Sequence, residues 1–351
     1  MSSVLRPVRV LIVDDSALAR RAIHEALASD PAIEVVGMAA DAYQAREQIL
    51  ALEPEVVTLD LQMPLMDGLT FLKILQEHHP VPVIVVSSLT PAGSELAMEA
   101  LEAGAVDVVQ KPDGSRPALQ LARRLPALVR AAARSRRTGV RETAKPTAAI
   151  APWSGPVDAR RVILIGASTG GVEALRFLLP QLPPGLPPIV VVQHIPPNFS
   201  RVMAEHINRL APYEVREAVD GELLRPGLCV VAPGDFHVLL QRYGNSYRVK
   251  LSQTAAVNHC RPSVDVLFRS GAEQAGAHAV AVVLTGMGAD GARGMQLLRA
   301  AGARTLAEAE ESCVVFGMPQ AAIKTGAVER VVPLQQMPRA ILDVLRQEAG
   351  K

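Results

Sequence analysis

The chain has 351 residues, 49% hydrophobic and 20% charged, which suits two globular domains and excludes a disordered polymer. A net charge of +1 and only 3% aromatic residues argue against nucleic-acid and membrane-surface partners. The apolar runs are strand-sized and broken by Gly, Pro or charge, residues 1–7 carry no leader pattern, and three cysteines (Cys229, Cys260, Cys313) lack metal-ligand spacing, so a reduced, cytoplasmic setting without membrane insertion is expected.

Residues 8–134 alternate strand-like and helix-like patterns. Strand-like runs fall at 8–13, 34–38, 55–59, 81–87 and 105–109, with helical spacing of apolar residues between them, as at 17–28 and 93–103. Five strands alternating with helices predict a parallel sheet covered by helices on both faces, with its ligand site at the carboxyl ends of the strands. From about residue 135 to 156 the periodicity stops and Arg, Thr, Ala, Pro and Gly dominate. This reads as a linker with a basic beginning (Arg130, Arg134, Arg136, Arg137, Arg141) that either solvates the chain or docks an acidic partner. Alternation resumes with strand-like runs at 162–166, 189–193, 228–232 and 279–285, and a hairpin pattern at 236–240 and 246–251 turns near Gly244-Asn245. The predicted organisation is therefore two α/β domains, residues 1–130 and 158–351, joined by a linker at 131–157, the second domain carrying a small antiparallel portion.

Asp14, Asp15, Asp60, Ser87 and Lys111 all fall at strand ends of the first domain. Three carboxylates at one sheet edge repel one another unless a divalent cation neutralises them, and hard oxygen ligands suit Mg²⁺. A carboxylate held there can attack a phosphoryl donor and form an acyl phosphate. Lys111 can then reach one phosphoryl oxygen and Ser87 another. Each residue alone reads as a helix cap or a solvated charge; the ordered set is the specific signal.

The runs Leu11-Ile-Val-Asp14-Asp15-Ser16, Leu59-Asp60-Leu-Gln-Met63-Pro64-Leu-Met-Asp67-Gly68 and Gln110-Lys111-Pro112 resemble response-regulator receiver domains over roughly residues 8 to 128. The resemblance implies a flavodoxin-like fold, phosphorylation at Asp60, and Mg²⁺ held by Asp14, Asp15, Asp60 and the Gln62 carbonyl. Many receivers carry an aromatic residue three positions before the lysine; this chain has Val108.

In the second domain, Gly166-Ala-Ser168-Thr-Gly170-Gly171 follows a strand and opens a helix. A phosphate-binding loop and a nucleophile turn both use such glycines. The spacing is not G-x-G-x-x-G and no Gly-Lys-Ser/Thr follows, which weakens the first reading. The second needs a base and an orienting acid. His194 and Asp290 each come just past a later strand, at the same end of the sheet, so a Ser168–His194–Asp290 relay is expected. Its chain order differs from those of the α/β-hydrolases, chymotrypsin and subtilisin. Backbone donors in Thr285-Gly-Met287-Gly are free to approach a reacting carbonyl, and one such donor is typically worth about 3–4 kcal/mol of barrier. A receiver fused to a ligand-binding α/β domain would leave His194 and the Asp290 loop without a role, and a receiver with a DNA-binding output domain is opposed by the near-neutral charge and the absence of a recognition-helix pattern at the C-terminal end.

Gly-Ala-Ser168-Thr-Gly-Gly, Gln-His194-Ile-Pro-Pro-Asn-Phe199, Ala232-Pro-Gly-Asp235, Arg261-Pro-Ser-Val-Asp265, Leu-Thr-Gly-Met287-Gly-Ala-Asp290-Gly and Phe316-Gly-Met-Pro319 resemble the catalytic domain of bacterial chemotaxis protein-glutamate methylesterases over roughly residues 160 to 346. The resemblance implies a Rossmann-like domain that hydrolyses glutamate γ-methyl esters on chemoreceptors and deamidates receptor glutamines. It further implies Ser168, His194 and Asp290 as its triad, with Thr169 and Met287 lining the site and donating to the oxyanion. The implied partners are chemoreceptors as substrate and a chemotaxis histidine kinase as phosphodonor; the ester chemistry needs no cofactor. Two positions depart from the family pattern: Phe236 where an arginine is common, and Cys260 where a histidine is common.

Overall fold

The computed structural model describes residues 6–87, 91–111, 118–137, 153 and 158–349. The chain divides into two compact units, residues 1–140 and 141–351. The first contains β1 (Val8–Val13), α1 (Ala17–Ala28), β2 (Ile33–Ala39), α2 (Ala42–Leu52), β3 (Val56–Leu59), α3 (Gly68–His78), β4 (Val83–Ser87), α4 (Pro91–Glu102), β5 (Asp107–Gln110) and α5 (Ala118–Arg137). Its five-stranded sheet has the order β2-β1-β3-β4-β5, parallel throughout. β-Branched runs such as Val56–Leu59 are buried on both sides, as expected of a strand covered by helices on each face. The helix starts are chemically marked. Asp41 accepts from the N–H groups of Tyr43 and Gln44 at 2.9 Å each, and Asp67 accepts from Thr70 N at 2.8 Å.

The order of connection reverses between β1 and β3, so the crevice at their carboxyl ends is the natural ligand position. Gly68 is required beside it: a Cβ there would lie 2.0 Å from the carbonyl oxygen of Asp60. Helix α5 runs on to Arg137, into the segment expected to be linker, and its Arg130 forms an ion pair with Asp30. Most of that linker, Pro112 and Arg141 lie outside the described residues.

The second unit contains β6 (Val162–Ala167), α6 (Gly171–Leu178), β7 (Ile189–Gln193), α7 (Phe199–Leu210), β8 (Glu214–Glu217), β9 (Leu228–Val231), β10 (His237–Tyr243), β11 (Ser246–Ser252), α8 (Val264–Gln274), β12 (Ala279–Val283), α9 (Ala292–Ala300), β13 (Arg304–Glu308), α10 (Met318–Lys324), β14 (Arg330–Val332) and α11 (Met337–Ala349). The parallel sheet is seven-stranded, in the order β14-β13-β12-β6-β7-β9-β8. Alternate residues of its strands, Val162, Leu164, Val190, Val192 and Val230, share one buried cluster with Phe268 of α8, Leu298 of α9 and Met318 of α10. The antiparallel portion is a separate β10–β11 hairpin packed on the same cluster through Val238, Leu240, Tyr247 and Val249.

Three strands, β8, β13 and β14, were not anticipated from the pattern. Their sequences are short and charged (Glu-Val-Arg-Glu, Arg-Thr-Leu-Ala-Glu, Arg-Val-Val), and β8 and β14 are edge strands where one side faces water. No helix among the described residues is long and apolar enough to cross a membrane.

Candidate functional site

In the first unit, Asp14 follows β1, Asp60 follows β3, Ser87 ends β4 and Lys111 follows β5. Asp14, Asp60 and Ser87 are buried and Asp15 is exposed. One carboxylate oxygen from each of Asp14, Asp15 and Asp60 lies within 4.8 Å of the others. Lys111 Nζ sits 2.8 Å from Asp14 Oδ2 and 2.7 Å from Asp60 Oδ2. Burial raises the Asp60 pKa despite the nearby ammonium; burial lowers that of Lys111, but its bonds to Asp14 and Asp60 overcome this and raise it. One ammonium against three carboxylates leaves net negative charge in a set of hard oxygens, and this donor set fits a Mg²⁺-sized ion. Asp14 is fixed by Ser16 N at 2.9 Å, and Arg20 donates to the carbonyls of Asp14 and Asp15 at 2.7 and 3.0 Å. Gln62 is exposed on the loop after Asp60, its backbone N–H donating to the Asp60 carboxylate. Val108 is buried in β5, beside Val85 of β4.

In the second unit, Ser168, His194 and Asp290 come after β6, β7 and β12, which are adjacent in the sheet. The order of connection reverses between β6 and β12, so this crevice too is at a switch point. Ser168 N donates to Thr285 O at 3.0 Å, and its carbonyl accepts from Gly171 N at 2.7 Å. The Gln193 side-chain amide bridges the carbonyls of Ser168 (2.8 Å) and His194 (3.2 Å), joining the two loops.

His194 Nε2 lies 2.8 Å from Asp290 Oδ2, and its Nδ1 lies 3.6 Å from Cys260 Sγ. No hydrogen bond joins Ser168 Oγ to the His194 ring among the described residues. Thr169 is buried, with its carbonyl accepting from Thr285 Oγ1 at 3.0 Å, and Met287 is half-buried on the loop after β12.

Asp290 also stoppers helix α8. It accepts from Ser263 Oγ at 2.9 Å, Val264 N at 2.7 Å, Asp265 N at 3.2 Å and Asn258 Nδ2 at 2.8 Å. Burial would raise its pKa, but the His194 contact and these donors pull it down to about 2. Burial would lower the His194 pKa, but Asp290 and Cys260 push it up to about 9. The aspartate is thus a fixed anion, and the ring nitrogen it leaves available is Nδ1.

Several supporting residues carried no periodic or motif signal of their own role. His237 is buried, accepts Ser263 N at Nδ1 (3.2 Å) and faces Ala255 O with Nε2 (3.1 Å), which seats Ser263 against Asp290. Glu308, fully buried at the end of β13, accepts Thr285 N at 2.8 Å and Ser312 Oγ at 2.9 Å, and burial pushes its pKa up to about 7. Asp235 and Arg261, in two separate sequence motifs, form a forked ion pair at 2.6 and 3.0 Å. Ser263 lay within the Arg261-Pro-Ser-Val-Asp265 motif without a stated role, whereas Asn258 and Glu308 are tied to the site by contacts with Asp290 and Thr285, 32 and 23 positions away.

The loop after β12 presses directly on the serine. A Cβ on Gly286 would lie 2.7 Å from Ser168 Cβ and 2.5 Å from Met318 Sδ. Gly286→Ala is therefore expected to displace the Ser168 loop and to slow any reaction that uses this serine by about 100-fold, the cost of an ångström-scale misplacement. Circular dichroism should be unchanged; a variant with full activity would mean the loop yields without moving the serine.

Residues 163–341 match the CheB methylesterase family, and residues 10–122 match the response regulator receiver domain. A protein-glutamate methylesterase/protein-glutamine glutaminase of Syntrophus aciditrophicus is 46% identical over 337 residues, covering 95% of this chain and 98% of the relative. One of Anaeromyxobacter dehalogenans with the same designation is 49% identical over 353 residues, covering 97% and 98%. The crystal structure of the Thermotoga maritima CheB methylesterase catalytic domain superposes with a TM-score of 0.52 at 38% identity, covering 52% of this chain and 98% of that one.

Proposed function

The chain belongs to the CheB methylesterase family, with a response-regulator receiver at its front, and from that premise we propose that Ser168, His194 and Asp290 hydrolyse receptor esters under the control of phosphorylation at Asp60. The activity is that of a protein-glutamate methylesterase and protein-glutamine glutaminase acting in chemotactic adaptation. The observation that carries the residue assignment is the His194 Nε2–Asp290 Oδ2 contact of 2.8 Å on a loop that Gln193 ties to Ser168.

Asp290 keeps the proton on Nε2, so Nδ1 is the nitrogen that accepts the Ser168 hydroxyl proton. Their hydrogen bond forms once substrate fills the crevice. Ser168 Oγ attacks the ester carbonyl, and the oxyanion meets N–H groups in the Thr169 and Met287 segments. Methanol leaves with the proton from Nδ1. Water, deprotonated by the same nitrogen, then hydrolyses the acyl-enzyme. A glutamine side chain follows the same route with ammonia leaving, and the ester chemistry calls on no cofactor.

In the receiver, Asp14, Asp15, Asp60 and the Gln62 carbonyl would hold Mg²⁺, which when bound neutralises charge between the acceptor carboxylate and the incoming phosphoryl group. Lys111 and Ser87 then contact the phosphoryl oxygens. The substrate is a cytoplasmic chemoreceptor segment and the phosphodonor a chemotaxis histidine kinase; no nucleic acid is involved, and the linker between the domains begins past α5, which ends at Arg137 rather than near residue 130, and gives way to the second domain near residue 158.

The test is methanol release from a methylated chemoreceptor fragment, with and without acetyl phosphate and Mg²⁺. Release that increases with phosphodonor is expected; a wild-type protein that releases none from any of a panel of receptors would overturn the reading.

The base must be neutral to work. Because the His194 pKa is pushed up to about 9, activity should climb as pH rises from neutral, reaching half its plateau near that value. Asp290→Asn removes the carboxylate that holds the charged ring, so the limb should move toward the ordinary histidine range near 6.5. The rate should fall by about 10⁴-fold, the loss seen when a triad carboxylate is neutralised. A pH–rate profile of both proteins checks this; an unmoved limb would mean another group is being titrated.

A further inference from the structure

The nitrogen that the mechanism needs, His194 Nδ1, faces a sulfur. Cys260 Sγ lies 3.6 Å away and is partly exposed, while His194 has only 10% of its side chain accessible. A tetrahedral zinc ion with Zn–N of about 2.0–2.1 Å and Zn–S of about 2.3 Å separates its nitrogen and sulfur ligands by about 3.6 Å. The pair therefore already has the edge length of such a site. The other ring nitrogen donates to Asp290 Oδ2 at 2.8 Å, the carboxylate–histidine arrangement that orients metal-binding imidazoles. The sulfur is held as firmly as the ring. Val257 and Cys260 exchange backbone hydrogen bonds at 3.1 and 2.8 Å around a two-residue turn, Asn258 (φ 52°) and His259 (φ 63°). Asn258 Nδ2 anchors that turn to Asp290 Oδ1 and Asp265 Oδ2 at 2.8 Å each.

We propose that Cys260 Sγ and His194 Nδ1 form a binding site for a thiophilic divalent cation of the zinc class, and that its occupancy switches the esterase off. On binding, Cys260 releases its thiol proton and the charged His194 ring its Nδ1 proton to solvent. The neutral ring keeps its Nε2 proton, donated to Asp290 Oδ2, and the freed Nδ1 lone pair goes to the metal. The remaining coordination positions are filled by water. A ring so engaged cannot take a proton from Ser168. Hard cations such as Mg²⁺ and Ca²⁺ do not compete for a sulfur–imidazole pair. The inhibitory consequence rests on the His194 role proposed above; the site itself does not.

Two measurements on the full chain test this. Co²⁺ added to the wild type and to Ser168→Ala should give the near-ultraviolet sulfur-to-cobalt charge-transfer absorption, absent in Cys260→Ala. Zn²⁺ should inhibit methanol release by the wild type, and Cys260→Ala, measured against its own zinc-free rate, should need at least about tenfold more, the usual scale for losing part of a metal's support. Equal zinc sensitivity in the two proteins, or a cobalt spectrum unchanged by Cys260→Ala, would overturn the proposal. A cobalt signal that depends on Cys260 in a protein that hydrolyses no receptor ester would leave the metal site standing and remove the esterase reading instead.

Discussion

Ser168→Ala will release no measurable methanol from a methylated chemoreceptor fragment, with or without phosphodonor, while its melting temperature stays within a degree or so of the wild type. Removing the nucleophile of a serine hydrolase lowers kcat by about a million-fold. Little else should change. The Ser168 backbone carries the structural load, through Thr285 O, Gly171 N and the Gln193 amide, and alanine keeps all three bonds. Its Oγ forms no hydrogen bond with any described residue, so truncation strands no buried partner. Release within about tenfold of the wild type would remove Ser168 from the proposed role and return attention to the rest of the crevice.

Asp60→Asn will eliminate the stimulation by acetyl phosphate. The amide has the shape of the carboxylate but cannot form an acyl phosphate. Lys111 keeps Asp14 at 2.8 Å, so the ammonium is not left buried without a counter-charge. Stimulation of the wild type should also vanish when EDTA strips Mg²⁺, since three carboxylates so close together need a cation to admit a phosphoryl group. The measurement is methanol release against acetyl phosphate concentration for both proteins, together with acid-labile, base-labile phosphate on the protein. A variant that still responds would show that phosphodonor acts elsewhere than at Asp60.

How much of this was legible in the sequence follows from where the information lies. Asp14, Asp60, Lys111, Ser168, His194 and Asp290 each close or follow an apolar, β-branched strand, so a continuous apolar run with a polar end places the first three at the carboxyl edge of one sheet and the last three at that of the other. The family resemblance then supplied the roles. Strands β8 and β14 escaped because their charged residues erase the alternation at an exposed edge. The direction of the His194 ring was not legible either: whether Nδ1 or Nε2 meets Asp290 depends on Asn258, Ser263 and the start of α8 converging on one carboxylate. Cys260 stood in the sequence only as a departure from a family pattern beside the crevice. Its 3.6 Å approach to His194 spans 66 positions of chain and no local spacing encodes it.

The placement of the Ser168, His194 and Asp290 loops on β6, β7 and β12 bears on how the protein wears out. These strands are interior members of a seven-stranded sheet, flanked by β13 and β14 on one side and by β9 and β8 on the other. Interior strands open only with the whole domain, whereas edges fray at a small fraction of that free energy. Amide exchange should thus be slowest beneath Ser168 and fastest at β8 and β14. Partial opening of the rim leaves the three loops in register, so the hydrolase stays competent through its sub-global fluctuations and fails, on heating, only when the entire domain does.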